Sequence, residues 1–451
     1  MHNAATLLAV EPSSRPASTD RKERLLGRFR ALRDFTTRLC RNLQPEDCVV
    51  QSMPDVSPTK WHLAHTTWFF ETFVVKQWVT GYESEVPEYA FLFNSYYNAA
   101  GTMHRRDLRG LISRPTLQET KRYRASIDEQ VAQLIESADE KLLDQIEPVL
   151  ILGFHHEQQH QELLVTDIKH VFAQNPLHPV FENVAQVSNL LSGDRGGSKM
   201  ETCATVPPLQ FIEFDEAIVE IGHAGSEFSY DNEGPRHRAL VGPFGLANRL
   251  VTNGEYLAFM HDRGYQRPEF WLSLGWTAVH EQRWQAPLYW EQHDGAWWNF
   301  TLSGFREVNE DEPVTHVSQF EADAYANWNG ARLPTEFEWE RASASLPLEG
   351  NFVDEGNFHP VPVSSSSMPK LAQMFGDVWE WTRSAYLPYP GYRAAAGALG
   401  EYNGKFMSSQ IVLRGGSCAT TRNHLRATYR NFFPPDKRWQ FSGLRLARDL
   451  A

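Results

Sequence analysis

This sequence predicts a multidomain protein of mixed class, a helical bundle followed by an irregular α+β domain, and three observations carry that reading. At 451 residues the chain is long for one domain, and its 41% apolar and 12% aromatic content supplies side chains for two cores. From residue 21 to about 173 apolar residues recur at spacings of three and four, and Gly and Pro are sparse. Beyond residue 205 that period fades, and short alternating segments are separated by Gly, Pro, Asn and aromatic residues.

Residues 1–20, rich in Ala, Ser and Pro, read as a disordered tail. The bundle is expected over 21–185, with main helices at about 21–44, 58–79, 116–138 and 140–172. Ser57 is placed to cap the second helix, and Pro58 suits a first helical position, where its missing N–H costs nothing. Pro148 predicts a kink in the fourth helix. The run SGDRGGS at 192–198 marks a flexible connection, placed at 186–204. The second domain is expected over 205–451, where short segments such as FIEFDEAIVEIG and QIVLRGGS alternate with loop-forming stretches. No internal repeat and no sustained heptad is present.

A formal charge of −13 offers no electrostatic footprint for nucleic acid or an anionic membrane, which need clustered Lys and Arg. A small soluble substrate is the more natural partner. Cys40, Cys48, Cys203 and Cys418 are scattered without a CxxC pair, which suggests neither a disulfide framework nor a cysteine zinc knuckle and fits a reducing cytoplasm. The first residues hold only a short apolar stretch before Glu11 and Pro12, too short for a signal peptide, and no run is long enough to span a bilayer. A cytoplasmic location is therefore expected.

The strongest local signal is HEQQH at 156–160. Residues four apart share a helix face, so His156 and His160 can meet one metal ion. The stripe Val149, Leu152, His156, His160, Leu163 is predicted to point into the bundle, where leucines would otherwise pack. Trp61, His65, Trp68 and Thr72 follow a similar spacing and bring a third imidazole inward. Each histidine taken singly also reads as a buried side chain satisfied by a neighbour. Three together favour a metal, and neutral imidazoles suit Zn(II), Fe(II), Ni(II) or Cu(II) alike. Glu157 completes the HExxH pattern of zinc peptidases, which keeps a hydrolase in view.

SPTKWHLAH with HEQQHQELL resembles the iron-binding N-terminal domain of the ergothioneine-pathway sulfoxide synthases, a DinB-like bundle. RLPTEFEWERA (332–342), GDVWEWT (376–382), LRGGS (413–417) and SGLRLAR (442–448) resemble the formylglycine-generating-enzyme fold, which is C-type-lectin-like. The two in this order cover nearly the whole chain. The resemblance implies O2-dependent C–S bond formation between a thiol and hercynine, the trimethylated betaine of histidine, at Fe(II) held by His65, His156 and His160. His62 aligns outside that ligand set, as a packing residue or an outer partner of the ligands. The stretch CATTRNHLRATYR holds only Cys418, whereas formylglycine-generating enzymes work with a cysteine pair there, so that activity is not expected.

By the same resemblance, Tyr96 and Tyr97 are the candidates for the hydroxyl that directs the reaction to C–S bond formation, with Tyr386 second. Gln159 is expected to orient the imidazole, and Asn431 and Phe432 to hold the betaine end. From residue chemistry, Arg105, Arg106 and Arg109 suit a thiol substrate's carboxylate. Phe433 stands where γ-glutamylcysteine-using branches carry an acidic residue, which favours free cysteine. The run GTMHRRDLRG departs from the Pro-rich form of the cysteine-using branch, which keeps open a selenosugar donor, as in selenoneine synthesis. Without the family, each of these residues also reads as ordinary packing or surface charge. Two other classes remain, a zinc-dependent thiol transferase or hydrolase and a binding module.

Overall fold

The computed structural model describes residues 18–181, 206–363, 370–395, 397–401 and 403–450. Most of the expected tail and linker, and Cys203, lie outside the described residues. The chain forms two compact units. The first comprises the described residues of Met1–Gln174 with Ala224–Phe228 and Ala394–Asn403; the second comprises those of Asn175–His223, Ser229–Arg393 and Gly404–Ala451.

Among the described residues, four long helices build the first unit: α1 (Ser18–Leu39), α2 (Thr59–Phe70), α3 (Leu117–Ser137) and α4 (Glu140–Ala173). Both α1 and α2 pack against α3 and α4. Thr116 caps α3 in a reciprocal arrangement with Glu119, and Asp139 caps α4, so each start is satisfied by a side chain. The start of α2 differs from expectation. Its cap position falls on Pro58 and no side chain caps it, because the Ser57 hydroxyl accepts from Arg109 Nη1 at 2.9 Å. A π-helical turn, Glu71–Val75, continues α2, and α4 runs without a break through Pro148.

The core face of α4 is also rotated from the predicted one. Fully buried are Leu143, Ile146, Leu150, Phe154, Leu164 and Ile168, whereas Val149, Leu152 and Leu163 are half-buried. The histidine stripe therefore runs beside the main core, which leaves one flank of the site reachable. At Gly153 the helix comes close to α2, and a Cβ there would meet Phe70 Cε1 at 2.7 Å and Phe69 Cε1 at 2.9 Å. Both rings are fully buried and cannot easily retreat. Gly153→Ala is expected to cost about 1–3 kcal/mol by overpacking, read as a lower urea midpoint with unchanged slope.

Among its described residues the second unit holds four small sheets. The strands β1 (Phe211–Phe214), β4 (Phe244–Ala247) and β12 (Ala447–Asp449) form the first, and β2 (Ala217–Ile221) pairs with β3 (His237–Val241). A meander joins β5 (Trp290–His293), β6 (Ala296–Thr301) and β7 (Gly304–Glu307). The fourth has the order β10 (Asn431–Phe433), β9 (Ile411–Arg414), β8 (Trp379–Ala385), β11 (Ser442–Gly443).

The sequence motifs of this unit prove to be structural devices. In RLPTEFEWERA, Thr335 and Glu338 cap the helix α5 (Glu336–Ser343) reciprocally. Glu336 and Glu340 pair with the fully buried Arg414 of LRGGS, and Arg445 of SGLRLAR pairs with Glu380 of GDVWEWT. Gly376 at φ +77° approaches the Asn351 carbonyl so closely that a Cβ would lie 2.5 Å from its oxygen.

Among the described residues Cys40, Cys48 and Cys418 are buried. Burial first, and then their mutual proximity in the case of Cys40, pushes the thiols of Cys40 and Cys48 up to about 12, so neither is a reactive thiolate. No helix of the described residues is long and apolar enough to cross a membrane.

Candidate metal centre

His65 on α2 and His156 and His160 on α4 come together in the first unit, with ligand nitrogens all within 4.8 Å of one another. The Nε2 atoms of His65 and His156 are 3.1 Å apart. Nitrogens sharing one ion at about 2.1 Å stand roughly 3.0–3.4 Å apart, so this pair is already at ligand spacing.

The ring orientations have identifiable causes. His65 lies between two indoles, stacked on Trp61 at 4.5 Å and 11° and on Trp68 at 5.5 Å and 16°. Its Nδ1 is 2.6 Å from the Phe93 carbonyl, which can only accept, so Nδ1 carries the proton and Nε2 presents a lone pair to the site. His156 stacks on Phe69 at 4.6 Å and 27°, and its buried Nδ1 has no hydrogen-bond partner among the described residues. Burial holds all three imidazoles neutral. It takes His156 down to about 4, and with the neighbouring histidines it keeps His65 and His160 well below their usual value. Neutral rings with lone pairs converging on one point fit a metal.

Glu157 does not fit a peptidase. It is fully buried and turned away from this point, accepting from Arg33 at 2.7 Å, Arg124 at 2.6 Å and Thr36 at 2.6 Å. Burial would raise its carboxyl, but the charges of Arg124 and Arg33 outweigh burial and lower it to about 2. A carboxylate so engaged is a poor general base.

The other predicted residues separate. Tyr97 is buried, with its ring centroid 6.4 Å from that of His156 and 5.8 Å from that of Trp68. Tyr96, at φ +65°, turns its hydroxyl to accept from Arg106 Nη1. Gln159 is half-buried between the two histidines of α4. Arg105 is exposed and paired with Asp107, whereas Arg109 is buried with its guanidinium carbon 3.4 Å from the Trp61 ring centroid. Arg109 donates to Ser57 and Ser95 hydroxyls, and no carboxylate among the described residues pairs with it. Burial and then the like charge of Arg106 disfavour its cation.

In the second unit, Phe432 stacks on Tyr386 at 4.1 Å and 9°, the Asn431 side-chain oxygen accepts from the Phe432 amide, and Phe433 packs edge-on against Trp439. The Tyr386 hydroxyl accepts from Asn232 at 2.9 Å. Sequence reasoning missed the clamping role of Trp61 and Trp68, and also Asp167, which bonds to His62. The available signal for Asp167 was its spacing, two helical turns beyond His160 on the same face.

Residues 28–164 match the DinB superfamily, and residues 212–450 match the sulfatase-modifying factor enzyme 1-like domain. A hercynine oxygenase of Mycolicibacterium smegmatis is 34% identical over 323 residues, covering 66% of this chain and 71% of that protein. A hercynine oxygenase of Mycobacterium tuberculosis is 36% identical over 254 residues, covering 52% and 59%. Ergothioneine biosynthesis protein 1 of Schizosaccharomyces pombe is 27% identical over 235 residues, covering 49% and 28%. The match thus spans less than two thirds of the length of these last two relatives. With both domains matched in the expected order and a relative this similar over most of its length, the chain belongs to the hercynine oxygenase family.

Proposed function

We propose that the protein is a non-haem Fe(II), O2-dependent sulfoxide synthase that joins the imidazole of hercynine to a thiol, with cysteine as the donor. The observation that carries this reading is the convergence of three neutral histidine nitrogens in a chain whose relatives are hercynine oxygenases. Bound Fe(II) would supply redox chemistry and open positions where thiol, imidazole and O2 meet. The electrons balance. Forming the C–S bond from S–H and C–H releases two, and oxidising sulfur to the sulfoxide releases two more, which together reduce O2. One oxygen atom ends in the sulfoxide and the other in water.

The chain's own residues bind the substrates and supply a proton. Arg109 is a buried cation with no carboxylate partner among the described residues, an arrangement that favours an anionic guest. The carboxylate of the thiol substrate is assigned to it, with Arg106 beside it and Arg105 left to the surface. Tyr97, whose ring centroid lies 6.4 Å from that of His156, is assigned the proton donation that favours C–S bond formation over plain thiol oxidation. Gln159 is assigned to the imidazole of hercynine.

Arg109→Leu is expected to raise the KM for cysteine about 10–100-fold, the loss of charge-assisted hydrogen bonds worth about 1.5–3 kcal/mol, while Arg105→Ala leaves it unchanged. Equal effects in both variants would contradict the assignment. Tyr97→Phe is expected to keep metal and substrate binding while shifting product from sulfoxide to oxidised thiol, measured by mass analysis. An unchanged partition in Tyr97→Phe and Tyr96→Phe alike would move the role to Tyr386. Competition among cysteine, γ-glutamylcysteine and a selenosugar tests the donor, and turnover with the selenosugar alone would make the protein a selenoneine synthase.

A further inference from the structure

We infer that Asp167 and His62 form a relay that holds His160 in the one tautomer able to ligate a metal through Nε2. This rests on the three-histidine reading and assigns a positioning role to two residues outside the ligand set.

The chain of contacts is continuous, and its inner members His62 and Asp167 are buried. His62 Nε2 lies 3.0 Å from Asp167 Oδ2, and His62 Nδ1 lies 2.9 Å from His160 Nδ1. A carboxylate can only accept, so the His62 proton sits on Nε2. With its proton directed at the carboxylate, the His62 ring presents Nδ1 to His160 as an acceptor, and the proton between the two rings is assigned to His160 Nδ1. That leaves a lone pair on His160 Nε2. The opposite arrangement, with His62 donating to His160, would place a proton on His160 Nε2 and close it to a metal. The direction of the whole chain is therefore set at its far end, by the carboxylate.

Asp167 is itself held in place. The same Oδ2 accepts the Ser57 amide at 2.8 Å, and the Ser57 hydroxyl accepts from Arg109. The carboxylate thus joins the start of α2 to α4, and these two helices carry the three histidines. His65 meets the same requirement through a backbone carbonyl. An ordinary buried His–Asp pair would account for one of these contacts, but not for a chain ending on a metal-facing ring with its protons placed for ligation.

The test is metal affinity, read by chelator competition with Co(II), and the electronic absorption of bound Co(II). His62→Phe and Asp167→Ala are expected to weaken Co(II) binding about 10–100-fold and to shift the visible bands. Asp167→Asn keeps an acceptor oxygen anchored by the Ser57 amide, so it is expected to recover part of the affinity. It also carries the test should Asp167→Ala fail to fold. Wild-type affinity and spectrum in folded His62→Phe and Asp167→Asn, with only lower melting temperatures, would overturn the relay and leave the ligand set standing. Wild-type Co(II) affinity in a folded His160→Ala variant would instead overturn the three-histidine reading beneath it.

Discussion

His160→Ala is expected to abolish stoichiometric metal binding, with a loss greater than the roughly 100-fold that removal of an outer partner can cost. Three donors are the minimum from which a catalytic site leaves positions open, and removing one leaves two nitrogens to compete with water. The fold should survive, because His160 is half-buried at the flank of the main core and its removal opens no large cavity there. The measurement is metal content after anaerobic Fe(II) loading and gel filtration, with circular dichroism as the folding control. Full iron occupancy in a folded variant would exclude His160 as a ligand.

The next largest effect is expected one turn away and in a different quantity. Glu157→Gln should destabilise the protein by about 3–5 kcal/mol, because it leaves Arg33 and Arg124 facing a neutral amide in a buried site. Asp128, 2.7 Å from Arg33, compensates only in part, and Arg124 donates to Glu157 as its one carboxylate partner among the described ion pairs. Metal binding by the folded fraction should persist, since Glu157 faces away from the histidine nitrogens. A zinc peptidase requires the reverse, a stable variant that has lost hydrolysis because its base is gone. Urea denaturation and metal analysis of one variant separate the two.

Much of the first unit was legible in the sequence because helices declare themselves locally. The ends of α3 and α4 fall within a residue of expectation, where Thr116 and Asp139 supply caps that a linear reading can see. The spacing of His156 and His160 is likewise a local fact. What a linear reading missed depends on groups distant in sequence. The rotated core face of α4 follows from filling the interior with Glu157 and its two arginines, which a hydrophobicity pattern counts as polar and outward. Ser57 is lost as a cap because Arg109, far along the chain, claims its hydroxyl. The direction of the HExxH glutamate, and with it the choice between peptidase and oxygenase, depends on Arg33 and Arg124 on other helices.

In the second unit the motifs were visible but their roles were not. RLPTEFEWERA, LRGGS and SGLRLAR announce a fold through buried ion pairs and a capped helix, and nothing in their spacing shows that Arg414 meets Glu336 and Glu340 or that Arg445 meets Glu380. Of the arginine run, Arg105 and Arg109 are indistinguishable in sequence. Only burial with no carboxylate partner among the described residues marks Arg109 as the one suited to an anion.

The central claim is tested most directly by oxygen uptake with mass analysis of products, using anaerobically Fe(II)-loaded protein. The account predicts uptake that requires hercynine and cysteine together and gives an adduct carrying one oxygen atom from O2. Absence of uptake with hercynine and any of the three donors, or equal turnover with Zn(II) in place of iron, would contradict it.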